Sequence, residues 1–189
     1  IRDRFTILLF TIVILVLVLF SYRSDKHGNL FWQVEKLITH HPDSALVLLE
    51  KVRDINGLSL REKARYCLLW TESRDEAGLR HTSDSIISIA TDYYRTTRGC
   101  YWPPKAWFYR GKVYEDMDQP SLALECYLRA LEYEGENWDY EFWGRLYNQM
   151  GMLYAEQELY GKAMSFLRKA SAQYQLLNDA AGQDRILTE

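Results

Sequence analysis

The chain has 189 residues, of which 48% are hydrophobic and 26% are charged, and its formal net charge is −3. This composition fits a globular unit, alone or with an appendage, and excludes collagen-like, disordered and disulfide-scaffold classes. Residues 1–26 hold four of the 23 basic and two of the 26 acidic residues, so the remainder carries a net charge of about −5. Because an acidic surface does not attract phosphate backbones, nucleic acid is not expected as a partner.

The first feature along the chain is an uncharged apolar segment from Phe5 to Tyr22. As a helix it would rise roughly 27 Å, close to the thickness of a bilayer's hydrocarbon core. A retained membrane anchor is the favoured interpretation; a cleaved signal, whose apolar region is normally shorter, and a buried core helix are the alternatives. We therefore divide the chain into residues 1–26, an anchor or signal, and residues 27–189, a helical domain. Basic residues flank both ends of the segment, so charge alone leaves the orientation open.

Residue types associated with metals, cofactors and catalysis occur without the spacing that such sites need. The three cysteines, Cys67, Cys100 and Cys126, form no CxxC pair, which argues against a zinc ribbon or a thioredoxin-like motif. Cys67 and Cys126 lie in amphipathic patterns and are predicted to be buried. Adjacent residues such as His40 and His41 point about 100° apart on a helix, which does not suit a shared metal. The sequence predicts no metal, no cofactor and no enzymatic activity.

From Cys67 onward one pattern of residue types recurs along the chain at a fixed interval. This interval equals the separation of Trp107 and Tyr147 in the sequence. Bulky, small, aromatic, small, bulky and small residues recur in that order without a gap. The aligned sets are Cys67, Trp107 and Tyr147; Thr71, Gly111 and Gly151; Arg74, Tyr114 and Tyr154; Ser83, Ala123 and Ala163; Ile87, Tyr127 and Leu167; and Ala90, Ala130 and Ala170. This order predicts a duplicated supersecondary unit, in which the first copy is degenerate.

Each copy is predicted to be a pair of helices. In the middle copy Pro103-Pro104 opens the first helix, in keeping with proline in the first turn of a helix. A turn around Asp118-Gln119-Pro120 separates it from the second helix. Gly161 is taken to mark the corresponding turn in the last copy. Small residues such as Gly111 and Gly151 allow the two helices of a pair to approach closely.

The complete copies resemble the tetratricopeptide repeat. The matching residues are Trp107-x3-Gly111-x2-Tyr114 with Ala123-x3-Tyr127-x2-Ala130, and Tyr147-x3-Gly151-x2-Tyr154 with Ala163-x3-Leu167-x2-Ala170. Two features depart from the family pattern: the period is longer than that of the family by about six residues, and the closing proline is absent. The stretch from Asn29 to Ile55 resembles a further, shorter helix pair. The resemblance implies an all-α, right-handed superhelix of helix pairs whose first helices, called helices A, line a concave protein-binding groove. With its apolar segment, the chain is similar to membrane-anchored repeat proteins of Bacteroidota-type bacteria.

Charged residues recur near both ends of the helices A. Eleven residues at 100° each complete almost a whole number of turns, so both rows lie on one helix face, roughly 16 Å apart. Cations near the helix N-terminus and anions near its C-terminus oppose the helix dipole, so their repetition calls for an explanation. The basic row is Arg65, Lys105, Arg145 and Arg185, and the acidic row is Glu76, Asp116 and Glu156.

Two interpretations of these rows remain open. In the first, they border a groove that binds an extended or helical partner segment. In the second, the basic row is neutralised by carboxylates of the preceding second helix, such as Asp92 and Glu132. The predicted groove consists of Arg65, Lys105, Arg145, Glu76, Asp116 and Glu156, together with Phe108, Lys112, Asn148 and Met152.

These features predict a non-enzymatic protein-interaction scaffold that is tethered to a membrane, with the repeats on the extracytoplasmic, periplasmic side. The alternative is the sensory or regulatory portion of a longer signalling or transcription-regulating protein. The register places the start of another helix A at about Asp184, so the repeats are expected to continue. The identity of the protein partner is not encoded in any motif.

Overall fold

The computed structural model describes residues 27–96, 101–135 and 139–187, with side chains as far as Asn178. The described residues form α-helices joined by turns and contain no β-strand, which confirms the predicted all-α class. The predicted membrane segment, residues 5–22, lies outside the described residues. Within them, none of the helices combines the length and the apolar character that crossing a membrane requires.

The N-terminal compact unit ends at Ala77. It contains α1 (Gly28–Ile38), α2 (Pro42–Leu49) and α3 (Leu60–Glu76), each of which packs against the other two. Apolar residues spaced three or four apart give α1 and α2 one buried face each, whereas α3 is buried on more than one side, as the consecutive buried residues 66–69 show. The core of this unit includes Phe31, Val34, Ile38, Ala45, Leu49, Ala64, Leu68 and Leu69.

Helix α3 begins with a reciprocal cap. The Ser59 hydroxyl accepts a hydrogen bond from the Glu62 backbone N–H at 3.3 Å, and the Glu62 carboxylate accepts one from the Ser59 N–H at 3.1 Å. His27 also donates its backbone N–H to this carboxylate at 3.3 Å. Burial raises the pKa of Glu62, but the hydrogen bonds from Ser59 and His27 outweigh it and leave the pKa below its ordinary value. The cap thus also fixes the start of the described chain to α3.

The C-terminal compact unit begins at Gly78. It contains α4 (Ser85–Tyr94), α5 (Trp102–Asp116), α6 (Pro120–Leu131), α7 (Tyr140–Glu156) and α8 (Tyr160–Leu187). Helix α5 packs on α4 and α6, and α7 packs on α6 and α8. The two complete copies of the repeat are therefore the pairs α5–α6 and α7–α8, as the sequence predicts.

The starts of these helices follow their local sequence. Prolines occupy the first turns of α5 and α6, which confirms that Pro103 opens a helix. Pro120, which was expected in the turn, is the first residue of α6. Helix α7 is capped by Asp139, whose carboxylate accepts a hydrogen bond from the Phe142 N–H at 2.9 Å.

Close helix contacts repeat with the predicted period. A Cβ atom added to Gly111 would lie 2.7 Å from Cδ1 of Tyr127, and one added to Gly151 would lie 2.7 Å from Cγ of Leu167. Real Cβ atoms do not approach other atoms so closely, so only glycine fits at either position. The same contact between a first and a second helix recurs one period later, which confirms the duplicated unit.

The turns that end the first helices also repeat with this period. Gly78, Asp118 and Glu158 have φ values of 68°, 57° and 60° respectively, all in the left-handed region. In the complete copies the following residue closes the helix end, since the N–H of Gln119 bonds to the Tyr114 carbonyl and that of Leu159 to the Tyr154 carbonyl, both at 2.9 Å. This is the Schellman arrangement of a helix C-terminus. The degenerate first copy keeps the left-handed residue although its packing residues differ.

Two boundary predictions are wrong. The turn between α7 and α8 is made by residues 157–159, whereas Gly161 lies inside the first turn of α8 with open space around it. A turn was expected at the glycine because glycine favours turns, but the residue of this turn that adopts the left-handed conformation is Glu158. Helix α8 also runs without a break to Leu187, so Asp184 and Arg185 continue this helix instead of opening another helix A. Asn178 and Gly182, residue types that favour a helix end, both lie inside α8.

The two cysteines with described positions are buried as predicted, and both are free thiols. Burial raises the pKa of Cys67 to about 11 and that of Cys126 to about 12. Each thiol is therefore protonated near neutral pH and behaves as a small apolar side chain.

Candidate functional site

An open cleft of about 430 Å³ lies between the C-terminal halves of α5 and α7. Both helices are first helices of a repeat, the class of helix that is predicted from the sequence to line the groove. It is lined by Glu115, Asp118, Pro120, Gln149, Met152, Leu153 and Glu156.

Glu115 is the most constrained polar group of the cleft. Its Oε2 accepts a hydrogen bond from Gln149 Nε2 at 2.7 Å and one from Lys112 Nζ at 3.3 Å. Its Oε1 is buried and has no hydrogen-bond partner among the described residues. Because Oε1 is enclosed by protein atoms, it is not exposed to a group that enters the cleft.

The rest of the lining combines acidic and apolar side chains. Glu156 is exposed, and the side chain of Asp118 is 91% exposed, with Oδ2 3.7 Å from the Arg80 guanidinium. Met152 is 49% exposed, whereas Leu153 is buried. A protein segment could thus find both charge and an apolar contact in the same cleft.

Some residues of the predicted groove are brought together here. Met152 and Glu156 line the cleft. Lys112 Nζ lies 3.3 Å from Oε2 of Glu115, which also lines the cleft. Asn148 is half-buried on α7. These four residues remain candidates for partner binding.

Lys105 and Arg145, the members of the basic row whose side chains are described in the C-terminal unit, lie on aromatic rings. The Lys105 ammonium is 4.9 Å from the centre of the Tyr101 ring, and the Arg145 guanidinium is 5.7 Å from that of Phe108. Such cation–π contacts contribute about 0.5–1 kcal/mol at exposed sites. Phe108 itself is only 2% exposed, so it belongs to the core and offers a partner almost no surface.

Asp116, from the predicted acidic row, has an internal role. Its Oδ2 accepts hydrogen bonds from the backbone N–H of His81 and from His81 Nδ1, both at 2.8 Å. His81 is 8% exposed. Asp116 therefore fastens the turn before α4 to the end of α5.

The remaining predicted residues belong to the N-terminal unit. Arg65 forms an ion pair with Glu35, with Nη2 and Oε1 2.6 Å apart, and its guanidinium lies 5.6 Å from the Phe31 ring centre. Glu76 is half-buried near the end of α3. The carboxylate that neutralises Arg65 thus comes from α1, a first helix, whereas the second interpretation of the rows expected it from a second helix.

A partly buried polar cluster in the C-terminal unit was missed. Asp84 Oδ2 accepts hydrogen bonds from the Tyr114 hydroxyl at 2.7 Å and from Arg110 Nη2 at 2.7 Å, and Arg110 Nη1 donates to Thr91 Oγ1 at 3.1 Å. Burial raises the pKa of Asp84, but the bonds from Tyr114 and Arg110 outweigh it and hold the pKa below its ordinary value. The spacing of Arg110 and Tyr114, one helical turn, was the available signal.

Glu115 and Gln149 were also missed as site residues. Glu115 directly precedes Asp116 of the predicted acidic row, and Gln149 follows Asn148 of the predicted groove. The sequence places both residues on helices, but it does not show that the side chain of Gln149 binds that of Glu115. No group of histidine, cysteine, aspartate and glutamate within the described ranges is arranged to hold a metal ion.

Comparison with known proteins defines the class of fold. Residues 104–137 and residues 144–172 each match a family model described as the tetratricopeptide repeat. These matches correspond to α5–α6 and α7–α8, and they confirm the resemblance for the two complete copies.

Among solved structures, the chain is similar to the crystal structure of MamA, with a TM-score of 0.54 and 16% sequence identity over 86% of this chain and 85% of that one. At this identity the likeness concerns the fold alone. No curated protein sequence matches the chain.

Proposed function

We propose that the chain is a non-enzymatic protein-interaction scaffold in which the cleft between α5 and α7 receives a segment of a partner protein. Tetratricopeptide repeats generally bind protein partners, and the two matched repeats contribute the first helices that form this cleft. The observation that carries the proposal is the cleft of about 430 Å³, whose lining includes the half-exposed side chain of Met152 and the exposed side chain of Glu156. Together they offer one apolar and one polar contact on a surface that is already formed.

We also propose that the scaffold is attached to a membrane through residues 5–22, with residues 27–189 on the extracytoplasmic side, as in the anchored bacterial repeat proteins of Bacteroidota type that the sequence resembles. The support is the length and uncharged character of the segment from Phe5 to Tyr22. Attachment would hold the cleft near the membrane surface and raise the local concentration of membrane-bound partners.

The cleft can be tested with two matched methionine variants. Met152 lies in the cleft and Met164 lies on α8, and their side chains are 49% and 54% exposed. Peptides from a random twelve-residue display library would be selected on the whole chain in lipid nanodiscs. M152E is expected to weaken the selected peptides by roughly tenfold or more, since it places a charge at an apolar contact, and M164E is expected to leave binding unchanged.

Peptides that bind M152E as well as the unmodified chain would reject the cleft as the binding site. Failure to select any peptide that depends on the cleft would reject the proposal as well. Melting curves of both variants check that the loss of binding does not reflect unfolding.

A further inference from the structure

We infer that the loop between α2 and α3 binds the membrane surface through the phosphate groups of anionic lipid headgroups; this inference rests on the proposed attachment through residues 5–22. An open pocket of about 670 Å³ lies at this loop, in the N-terminal unit. We call it the loop pocket. Its lining includes Lys51, Arg53 and Ser59 from the loop and its end, and His27 from the start of the described chain.

The length of the chain keeps the loop pocket close to the apolar segment. His27 follows Tyr22, the last residue of that segment, by only five residues. An extended chain spans at most about 3.6 Å per residue, so His27 lies within roughly 18 Å of the segment, whatever path the residues between them take. The headgroup layer of a bilayer itself extends roughly 5–8 Å beyond the hydrocarbon core. If residues 5–22 cross a membrane, the loop pocket is therefore held beside its headgroups.

Two cations of the loop pocket are available to an anion from outside. The side chains of Lys51 and Arg53 are exposed, and among the described residues neither forms an ion pair or a hydrogen bond. Both are long and flexible, so their charged ends can converge on one group. A guanidinium can donate to two phosphate oxygens at once, and an ammonium binds phosphate as a compact charge. The pair is therefore suited to a phosphate group.

The carboxylates of the lining, by contrast, are engaged within the protein. Asp54 Oδ1 accepts hydrogen bonds from two backbone N–H groups of its own turn, at 3.1 and 3.0 Å. Glu62 Oε2 accepts from the N–H and the hydroxyl of Ser59 at 3.1 and 2.7 Å, and its Oε1 accepts from the N–H of His27 at 3.3 Å. Protein donors thus compensate part of the acidic charge, whereas the two basic side chains extend into solvent.

An exposed leucine next to the loop pocket favours a lipid over a soluble phosphate compound. Leu60 is the first residue of α3 and directly follows Ser59 of the lining. Its side chain is 76% exposed, the highest value for a large hydrophobic residue in the described part of the chain. At a membrane surface it would enter the boundary between headgroups and acyl chains while the cations stay at the phosphates. A soluble phosphate compound would leave it in water.

The first experiment measures amide hydrogen exchange in the whole chain, incorporated into nanodiscs. One set contains phosphatidylcholine alone, and the other contains equal parts of phosphatidylcholine and phosphatidylglycerol. Binding should slow the exchange of residues 50–60 roughly fivefold or more in the anionic nanodiscs, and added salt should remove this protection. Helix α7 serves as the internal reference. Equal exchange of residues 50–60 in both sets would overturn the inference.

The second experiment uses matched variants in the anionic nanodiscs. R53E is expected to remove most of the protection, whereas R168E, at an exposed position of α8, is expected to preserve it. L60Q should reduce the protection, and L128Q, at a 46% exposed position of α6, should not. Equal losses in R53E and R168E would assign the effect to net charge and overturn the inference. Melting curves check that all four variants fold.

A third comparison separates the two sources of phosphate and the two proposals. Glycerol phosphate is added to the chain in phosphatidylcholine nanodiscs. Protection of residues 50–60 at millimolar concentration, equal to that in anionic nanodiscs, would identify a soluble ligand and overturn the inference. A chain that enters nanodiscs but shows no protection by anionic lipid would overturn the inference and leave the attachment standing. A chain that does not enter them would reject both.

Discussion

At the residue scale, two glycines determine how closely the paired helices approach. Gly111 faces the ring of Tyr127, and Gly151 faces Leu167. The first partner is flat and aromatic, and the second is branched and aliphatic, yet both occupy the space that a Cβ atom would need. The repeat therefore preserves the close approach and permits different shapes at the opposing position.

Replacement of Gly111 by alanine is expected to destabilise the chain by about 1–3 kcal/mol, because the added methyl group collides with the Tyr127 ring. G161A is the matched control: no atom lies within 4 Å of the added Cβ, and alanine there should be neutral or stabilise by up to about 1 kcal/mol. Urea denaturation of both variants measures the difference. Equal stability of the two would contradict the close contact.

The glycine contacts could be predicted because periodicity reports which residues face a partner helix. The role of Glu115 could not be predicted in this way. Its Oε2 is bound by Gln149, which lies 34 residues further along the chain. That pairing depends on the approach of α5 and α7, and the period of the repeat does not describe it. The same limit applies to Phe108, whose position on the helix suggested a groove residue although packing buries it.

At the element scale, side chains in the loop between α3 and α4 connect this loop to α5. His81 is held by Asp116, near the end of α5, and Asp84 is held by Arg110 and Tyr114, in its second half. The sequence predicted α4 and α5 but not these connections. The carboxylate of Asp84 lies in a loop and that of Asp116 at a helix end, and neither belongs to a repeated motif. Polar side chains thus fasten α4 to α5 in addition to the apolar core.

The Asp84 cluster predicts a dependence of stability on pH. Its pKa is lower in the folded chain than its ordinary value of 3.8, so the unfolded chain binds the proton more tightly. The cluster therefore stabilises the fold above that value, and the stabilisation is lost as pH falls through and below it. Asp84→Asn should lower the melting temperature at pH 7 and flatten its decrease in acid; S121A, at an exposed position of α6, serves as the control. An unchanged acid profile in the Asp84→Asn variant would exclude this contribution.

At the scale of the whole molecule, the proposed membrane attachment depends on the apolar segment from Phe5 to Tyr22. If it is a retained anchor, the protein should stay in the membrane pellet after a carbonate or high-salt wash, because apolar burial does not depend on salt. Replacing Leu15 and Val16 by aspartate should release it, since each charge costs about 2.5–3.5 kcal/mol near the centre of a membrane helix. Ser24→Asp, outside the segment, should have no effect. A shortened, soluble product of the unmodified chain would instead indicate a cleaved signal.

The two buried thiols give each compact unit its own reporter of unfolding. Cys67 belongs to the N-terminal unit and Cys126 to the C-terminal unit, and their pKa values are about 11 and about 12. At pH 8 only about one thiol in a thousand, or fewer, is ionised in the folded state, and burial also blocks access by an alkylating reagent. Modification must therefore wait for the surrounding helices to open. Its rate at each cysteine, resolved by peptide mapping, measures how often each half of the chain opens under native conditions, without any introduced label.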